Sequence, residues 1–301
     1  MISFFKGVLI GMANLIPGVS GGTFALLMGI YTRLMESLSS LDLSFLKGVF
    51  SGRIKSEVER VDGIFLFQIF IGAVLGIAVF SWPADYFISR FPGLTLAFFS
   101  GLILPSIRVP ARMIGRRSSG VYLAAIAGAA AVILLSLYGR PFQGTRGHLY
   151  VFLSGAAGIS AMALPGVSGS SLMVILGIYG RIISNIREFT STLSLSSFIF
   201  LAVFGLGCLA GLLFFVRVMN RLLRRRRDIT LSFLTGLVAG SLYLLWPFKD
   251  FSAVCAGDAL SAARNVIPVS AVEILTRLGA FAAGAGSSLG FERIASEEGK
   301  D

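Results

Sequence analysis

The pentapeptide Pro-Gly-Val-Ser-Gly occurs twice in this sequence, at residues 17–21 and 165–169, and each copy interrupts a long apolar segment. The match extends past the pentapeptide, because Gly-Ile-Tyr follows both copies, at residues 29–31 and 177–179. Proline and glycine stop a helix and permit a close turn. A helix break that is duplicated within apolar sequence is the pattern that points to the binding site of a membrane transporter.

The composition predicts a polytopic membrane protein. The 301 residues are 55% hydrophobic and only 14% charged, unlike soluble domains. A spanning helix needs about 20 apolar residues, and the segments that approach this length are about 64–82, 94–110, 121–138, 197–216, 229–247 and 268–291. The net charge of +11 does not indicate a nucleic-acid partner. Most lysines and arginines flank these segments, where they set orientation and meet anionic lipid headgroups.

A second duplication extends the internal repeat into the spans. Residues 95–106 (TLAFFSGLILPS) match residues 230–241 (TLSFLTGLVAGS). Each half of the chain therefore holds one motif segment followed by three spans. We assign residues 1–140 to the first repeat and 141–301 to the second, with the motif segments at about 4–35 and 149–186.

The distribution of positive charge indicates how the motif segments sit in the membrane. If both segments dip in and return, most lysines and arginines fall on one side; if both cross, the charges divide almost evenly. The positive-inside rule favours the dipping arrangement, with both termini in the cytoplasm. Each arm reaches roughly 20 Å, less than the ~30 Å hydrocarbon core. Three spans per half is an odd number, so the sequence predicts an all-α polytopic membrane protein of two inverted repeats, each one re-entrant helical hairpin plus three transmembrane helices.

The motif residues suit anion binding. Ser20 or Thr23, and Ser168 or Ser171, can cap the half-helices that follow the breaks. The positive ends of these half-helices then point at the tips, where backbone N–H and hydroxyl groups can hold a phosphate or carboxylate. The alternative is that small residues only allow close helix packing. The predicted substrate-binding residues are Pro17, Gly18, Val19, Ser20, Gly21, Gly22, Thr23, Pro165, Gly166, Val167, Ser168, Gly169, Ser170 and Ser171, together with Arg33 and Arg181, which end the two hairpins.

The two motif regions resemble a bacterial and archaeal membrane family, long filed as a domain of unknown function, whose members are regarded as polyprenyl-phosphate transporters. The resemblance rests on residues 16–23 and 163–170, each followed by Gly-Ile-Tyr, and it covers nearly the whole chain. It implies a flippase in the inner membrane of a prokaryote that returns undecaprenyl phosphate from the outer to the cytoplasmic leaflet and so recycles the lipid carrier of cell-wall biogenesis. It implies no cofactor, metal or catalytic residue, and it leaves the coupling ion and oligomeric state open.

Two other functions compete with this one. Undecaprenyl-diphosphate phosphatases carry a Pro-Gly-Thr-Ser-Arg-Ser-Gly loop that is similar to this motif, but here glycine or serine replaces the arginine. The acidic residues lie mostly in loops, with Glu273 the main exception, so we expect no enzyme. A transporter for a small anion is the other alternative. An opening from the cavity to the bilayer would favour a lipid substrate, whereas a sealed aqueous path would favour a small ion. Glu273 and Arg277 have the spacing of a helical ion pair, either structural or functional.

Overall fold

We describe the fold from a computed structural model, which describes residues 2–16, 19–116, 118–139, 147–251, 265–268 and 270–298. These residues form helices and turns, with an isolated antiparallel bridge between Lys249 and Asn265. The all-helical class predicted from the sequence is therefore confirmed.

The helices follow the duplicated order of the sequence. Those in the first repeat are α1 (Ile2–Ala13), α2 (Gly21–Leu27), α3 (Tyr31–Ser39), α4 (Leu43–Phe50), α5 (Ile54–Arg60), α6 (Gly63–Arg90), α7 (Pro92–Ser106), α8 (Arg108–Arg112) and α9 (Ser119–Tyr138). Those in the second are α10 (His148–Ala163), α11 (Gly169–Ile175), α12 (Tyr179–Thr192), α13 (Leu195–Arg225), α14 (Arg227–Leu244) and α15 (Ala271–Glu298). Several helices run past the limits predicted for the spans.

Within the described part of the chain, four helices are long and apolar enough to cross a membrane: α6, α7 continued by α8, α9 and α13. Helices α11 and α12 reach that length only as a pair, which is bent by 99° at the break between them. The two remaining predicted spans coincide with α14 and α15, which carry charged residues near their N-terminal ends, Asp228 in one and Glu273 in the other. Whether α14 and α15 cross the membrane stays a prediction.

The helix that precedes each motif packs in the same way in the two repeats. Helix α1 packs along α6, and α10 packs along α13. Gly7 lies so close to the carbonyl of Ile69 that a Cβ has no room, and Gly155 meets the carbonyl of Phe204 in the same way. These contacts fall at corresponding positions of the two repeats. The duplicated glycines therefore bring helix backbones together, which is the packing role small residues have in membranes.

The other two strong helix pairs join one repeat to the other. Helix α7 packs along α15, and α14 packs along α9. Gly101 fits against the carbonyl of Phe281, and Gly236 against the carbonyl of Ala125, again without room for a Cβ. Each pair combines the second long helix of one repeat with the third of the other. Because each pair joins helices from different repeats, the two halves of the protein are packed together and their motif segments meet at a common interface.

Helices α4 and α5 lie between the first motif segment and the first predicted span, where the sequence analysis predicts no helix. Asp42 caps α4, because its Oδ1 accepts from the backbone N–H of Phe45 at 2.9 Å. Hydrogen bonds from Ser44 and from this N–H hold the pKa of the exposed Asp42 carboxyl well below its usual value, and Arg60 lies 3.3 Å away. An Asp immediately before an apolar run was the available signal for this helix start.

Candidate functional site

A serine caps the half-helix that follows each motif. Ser20 has extended backbone angles (φ −122°, ψ 150°), and its Oγ accepts from the backbone N–H of Thr23 at 3.2 Å, at the start of α2. Ser168 Oγ accepts from the backbone N–H of Ser171 at 3.4 Å, at the start of α11. Of the two candidate caps predicted in each copy, the first is the cap: Ser20 rather than Thr23, and Ser168 rather than Ser171.

The duplicated Gly-Ile-Tyr ends each half-helix. Gly29 and Gly177 have positive φ, +69° and +58°, which glycine adopts without strain. The backbone N–H that follows each glycine donates back to a helix carbonyl, that of Ala25 at 2.9 Å and that of Met173 at 3.0 Å. This is a Schellman-type helix end. It limits α2 and α11 to 7 residues each and turns the chain into α3 and α12.

Hydrogen bonds join the two motif regions directly. Ser20 Oγ donates to the carbonyl of Leu164 at 2.9 Å, and the backbone N–H of Gly166 donates to Thr23 Oγ1 at 2.8 Å. The Ser20 and Thr23 hydroxyl oxygens lie 3.1 Å apart, and the two residues are only 2% and 1% exposed. The interface is thus a buried polar network between segments that are far apart in the sequence.

Asn14 and Tyr31 complete this network, and the sequence reasoning missed both. Asn14 Oδ1 accepts from the backbone N–H of Gly21 at 2.8 Å, and the Tyr31 hydroxyl donates to the carbonyl of Ala163 at 3.3 Å. Asn14 corresponds to Met162 in the second repeat, so comparing the repeats did not select it. An isolated amide within an apolar segment was the usable signal. The protein itself therefore occupies donors of the first motif that were predicted to meet an anion.

The second motif is more open than the first. Ser170 is exposed, Ser168 and Ser171 are half-buried, and the hydroxyl oxygens of Ser168 and Ser170 lie 2.9 Å apart. Gly166 is buried, has φ +77° and lies against the carbonyl of Leu237, so that a side chain does not fit there. Two copies of one motif therefore present different surfaces: closed hydroxyls in the first and accessible hydroxyls in the second.

The remaining predicted motif residues form the walls of this interface. Gly22 packs against the carbonyl of Ala163 and has no room for a side chain. Val19, Gly21, Pro165 and Gly169 are buried, and Val167 packs against the core. Pro17 and Gly18 lie outside the described residues.

The two predicted arginines are held at the long helix that follows each motif segment. Arg33 Nε donates to Asp62 Oδ2 at 2.6 Å, and its guanidinium lies 4.2 Å from the centre of the Phe65 ring. Arg181 lies 5.0 Å from the centre of the Phe200 ring, the corresponding position of the second repeat. Such cation–π contacts are worth about 0.5–1 kcal/mol at exposed sites. The structure anchors both arginines to α6 and α13 rather than to the motif residues.

Two cavities flank the C-terminal end of α1. The smaller, 140 Å³, is bordered by Asn14, Gly21, Gly22 and Tyr31. The larger, 590 Å³, is apolar, reaches Ile16 beside the first motif, and is bordered by α6, α7 and α15. In the part of the chain that the structure describes, no group of three His, Cys, Asp or Glu is placed to hold a metal. The site thus offers neutral hydroxyl and amide donors next to apolar space.

Comparison with known proteins identifies the family. The family model for VCA0040-like, undecaprenyl phosphate translocase-like proteins matches residues 10–260. A polyprenyl-phosphate transporter of Vibrio cholerae serotype O1 (strain ATCC 39315 / El Tor Inaba N16961) is 35% identical over 248 residues, 82% of this chain and 78% of that protein. A polyprenyl-phosphate transporter of Staphylococcus aureus (strain NCTC 8325 / PS 47) is 32% identical over 257 residues, 82% of this chain and 86% of that protein. No solved structure matches the chain.

These matches confirm the resemblance read from the two motif regions. Together with the long apolar helices they identify a multi-pass membrane protein. The chain belongs to the VCA0040-like family of undecaprenyl phosphate translocase-like proteins.

Proposed function

We propose that this protein is a flippase that moves undecaprenyl phosphate, or a related polyprenyl phosphate, from the outer to the cytoplasmic leaflet of a prokaryotic inner membrane, where the lipid carrier is used again for cell-wall biogenesis. The family description and the names of both relatives indicate a transporter rather than an enzyme. The observation that carries the proposal for this chain is the buried hydrogen bonding between the two motif regions, Ser20 to Leu164 and Gly166 to Thr23. It joins the two breaks at one interface.

The proposed topology has two inverted repeats, with both hairpins dipping into the membrane and both termini in the cytoplasm. The 99° bend between α11 and α12 supports a re-entrant second hairpin. The matched packing of α1 on α6 and of α10 on α13 supports two equivalent units. Inverted units can expose one shared site to each side in turn. The basic residues 224–227, where α13 ends and α14 begins, would then meet anionic lipid headgroups, and no nucleic-acid partner is proposed.

We assign phosphate binding to both motifs, residues 17–23 and 165–171, and headgroup steering to Arg33 and Arg181. The half-buried and exposed hydroxyls of the second motif are accessible in this conformation, whereas those of the first are occupied by the carbonyl of Leu164 and the backbone N–H of Gly166. Exchange of these internal bonds for bonds to phosphate would open one motif as the other closes. An isolated charge at the bilayer centre costs several kcal/mol, and this is the barrier that such donors would lower.

The large apolar cavity favours a lipid over a small anion. Phe87 and Phe91 at its edge are 53% and 42% exposed, so the cavity opens sideways to the surface of the helix bundle. A small hydrated ion gains nothing from contact with apolar side chains, whereas a polyprenyl chain is stabilised by burial among them.

Alanine replacement of both capping serines tests the assignment. We expect Ser20→Ala/Ser168→Ala to slow the transbilayer movement of undecaprenyl phosphate in proteoliposomes about tenfold or more, because hydrogen bonds to a charged group are lost. Ser184→Ala is the matched control, since this exposed serine bonds only within its own helix in the described contacts. A wild-type rate in the folded double variant would remove the hydroxyls from the proposal, and the absence of movement by the folded wild-type protein would contradict the function itself.

A further inference from the structure

The 590 Å³ cavity is a groove that the phosphate site does not explain. Its apolar lining includes Phe80, Phe87, Phe91, Leu94 and Ala280. Thr95 also lines the groove, and its hydroxyl donates to the carbonyls of Phe87 and Phe91 at 3.1 and 2.9 Å. Protein interiors rarely leave voids much larger than a water molecule, and small-molecule sites measure about 300–1,000 Å³. A groove of this size and polarity suits an apolar chain.

The inner end of the groove lies beside the first motif. Met12, in the last turn of α1, and Ile16, shortly after the helix ends, form part of its wall, and Ile16 directly precedes residue 17 of the motif. An apolar chain in the groove would therefore have one end next to the proposed phosphate site.

A largely buried arginine lies next to two residues that line the groove, Leu94 and Ala280. Arg277 lies on α15 one turn before Ala280, and its side chain is only 13% exposed. Its guanidinium packs on Gly93, the neighbour of Leu94, so closely that a Cβ on Gly93 would lie 2.7 Å from Cζ. The fold thus brings a fixed positive charge to the rim of an apolar groove.

The contacts of Arg277 leave it able to accept a second anion. Nη1 donates to the carbonyl of Pro247 at 2.7 Å, and Cζ lies 4.7 Å from the centre of the Phe248 ring. The predicted ion pair with Glu273 is present, and the Glu273 side chain is 38% exposed. A guanidinium has five N–H donors and matches phosphate in a bidentate manner. It can keep the carbonyl and the ring while it exchanges the half-exposed carboxylate for phosphate.

From this arrangement we infer that the groove captures the polyprenyl phosphate from the bilayer: Arg277 binds the phosphate in place of Glu273 at the rim, and the phosphate-proximal isoprene units lie along the groove toward Ile16. The inference rests on the proposed function, whose substrate it places before transfer to the motif. Two observations favour this occupant, the charge complementarity of guanidinium and phosphate, and the continuity of the groove with the first motif.

Blocking the groove after folding tests its role. In a Cys208→Ser/Cys255→Ser background, purified Ala280→Cys protein is labelled with a bulky maleimide and assayed in proteoliposomes with undecaprenyl phosphate. We expect the label to reduce movement about tenfold or more, because it fills the space needed by the chain. Ala124→Cys is the matched control: Ala124 occupies on α9 the place that Ala280 has on α15, and it does not line this groove. Undiminished movement after labelling at position 280 would overturn the groove assignment.

Charge variants test the rim. We expect Arg277→Gln to weaken binding of undecaprenyl phosphate in detergent about tenfold or more, with undecaprenol, which lacks the phosphate, unaffected. Glu273→Gln removes the competing carboxylate and is expected to leave binding of the phosphate lipid equal or tighter. If Glu273→Gln weakens binding as much as Arg277→Gln, or if undecaprenol is lost in parallel, the pair is only a structural bridge and the inference fails.

Together these assays distinguish failure of the proposed function from failure of the capture site alone. If unlabelled, folded protein moves no undecaprenyl phosphate, the proposed function fails, and the inference with it. If it moves the lipid but neither the label nor Arg277→Gln has an effect, only the capture site fails.

Discussion

Removing the hydrogen bond between Gly166 and Thr23 measures how much the motif interface contributes to the free energy of unfolding. Thr23→Val keeps the shape of the side chain but removes the oxygen that accepts from the buried N–H of Gly166 at 2.8 Å. A buried donor left without a partner costs about 1–3 kcal/mol. We therefore expect the free energy of unfolding, measured by SDS titration in mixed micelles, to fall by about 1–3 kcal/mol.

The second repeat supplies the control for this prediction. Ser171 occupies the position that corresponds to Thr23, but it is half-buried, and its backbone N–H meets Ser168 only at 3.4 Å. Removing its hydroxyl in Ser171→Ala should change the free energy of unfolding by less than about 0.5 kcal/mol. Equal losses in Thr23→Val and Ser171→Ala, or no loss in either, would refute the asymmetry between the two motifs.

Thr23→Val is also expected to change the rate of transport. If the Thr23–Gly166 bond exists only while the first motif is closed, losing 1–3 kcal/mol shifts the equilibrium between closed and open by about 5- to 150-fold. A changed transport rate that follows this shift, in protein that still folds, is the expected result. An unchanged rate despite the measured loss of stability would mean that the bond persists throughout the cycle.

Three further predictions address packing, pH and topology. Gly284→Ala should destabilise the protein by about 1–3 kcal/mol, because the added Cβ would clash with the carbonyl of Phe98 on the facing helix. Gly286→Ala is the control and should not destabilise the protein, because position 286 faces open space. Thermal unfolding of the two variants checks this difference. Burial lowers the pKa of Lys249 to about 8, so between pH 8 and about 10.4 the unfolded chain holds more protons and stability rises with pH. Unfolding of wild type relative to Lys249→Met at pH 7 and 10 should show this gain, and a flat difference would contradict it. Cysteines introduced by Arg60→Cys and Arg187→Cys should react with impermeant maleimide from opposite faces of the membrane; labelling from one face would break the inverted topology.

The parts of the site that the sequence predicted follow local rules. Capping by Ser20 and Ser168 depends on residues within one helical turn. The ion pair between Glu273 and Arg277 follows from their spacing on one helix. Both copies of the motif carry the capping serine and the Gly-Ile-Tyr sequence, so each copy supports the prediction made from the other. Such features need no knowledge of the tertiary structure.

The parts that were missed depend on contacts between distant segments. Asn14 binds Gly21 across the turn but has no counterpart in the second repeat, so repetition did not reveal it. The hydroxyls of Ser20 and Thr23 were expected to face a ligand, and they are instead closed by residues from the other half of the chain. The groove is formed where four helices meet, and its lining reads in sequence as ordinary lipid-facing residues. Only the exchange of helices between repeats brings these surfaces together.

Transbilayer movement of labelled undecaprenyl phosphate in proteoliposomes tests the central claim most directly, with wild-type protein beside a Gly21→Leu/Gly169→Leu variant. Both glycines are buried at the motif tips, where added side chains would meet Asn14 in one copy and Met162 in the other. The account predicts movement by the wild-type protein and its loss in the folded variant. No movement by folded wild-type protein under any ion gradient, or equal movement by the variant, would contradict it.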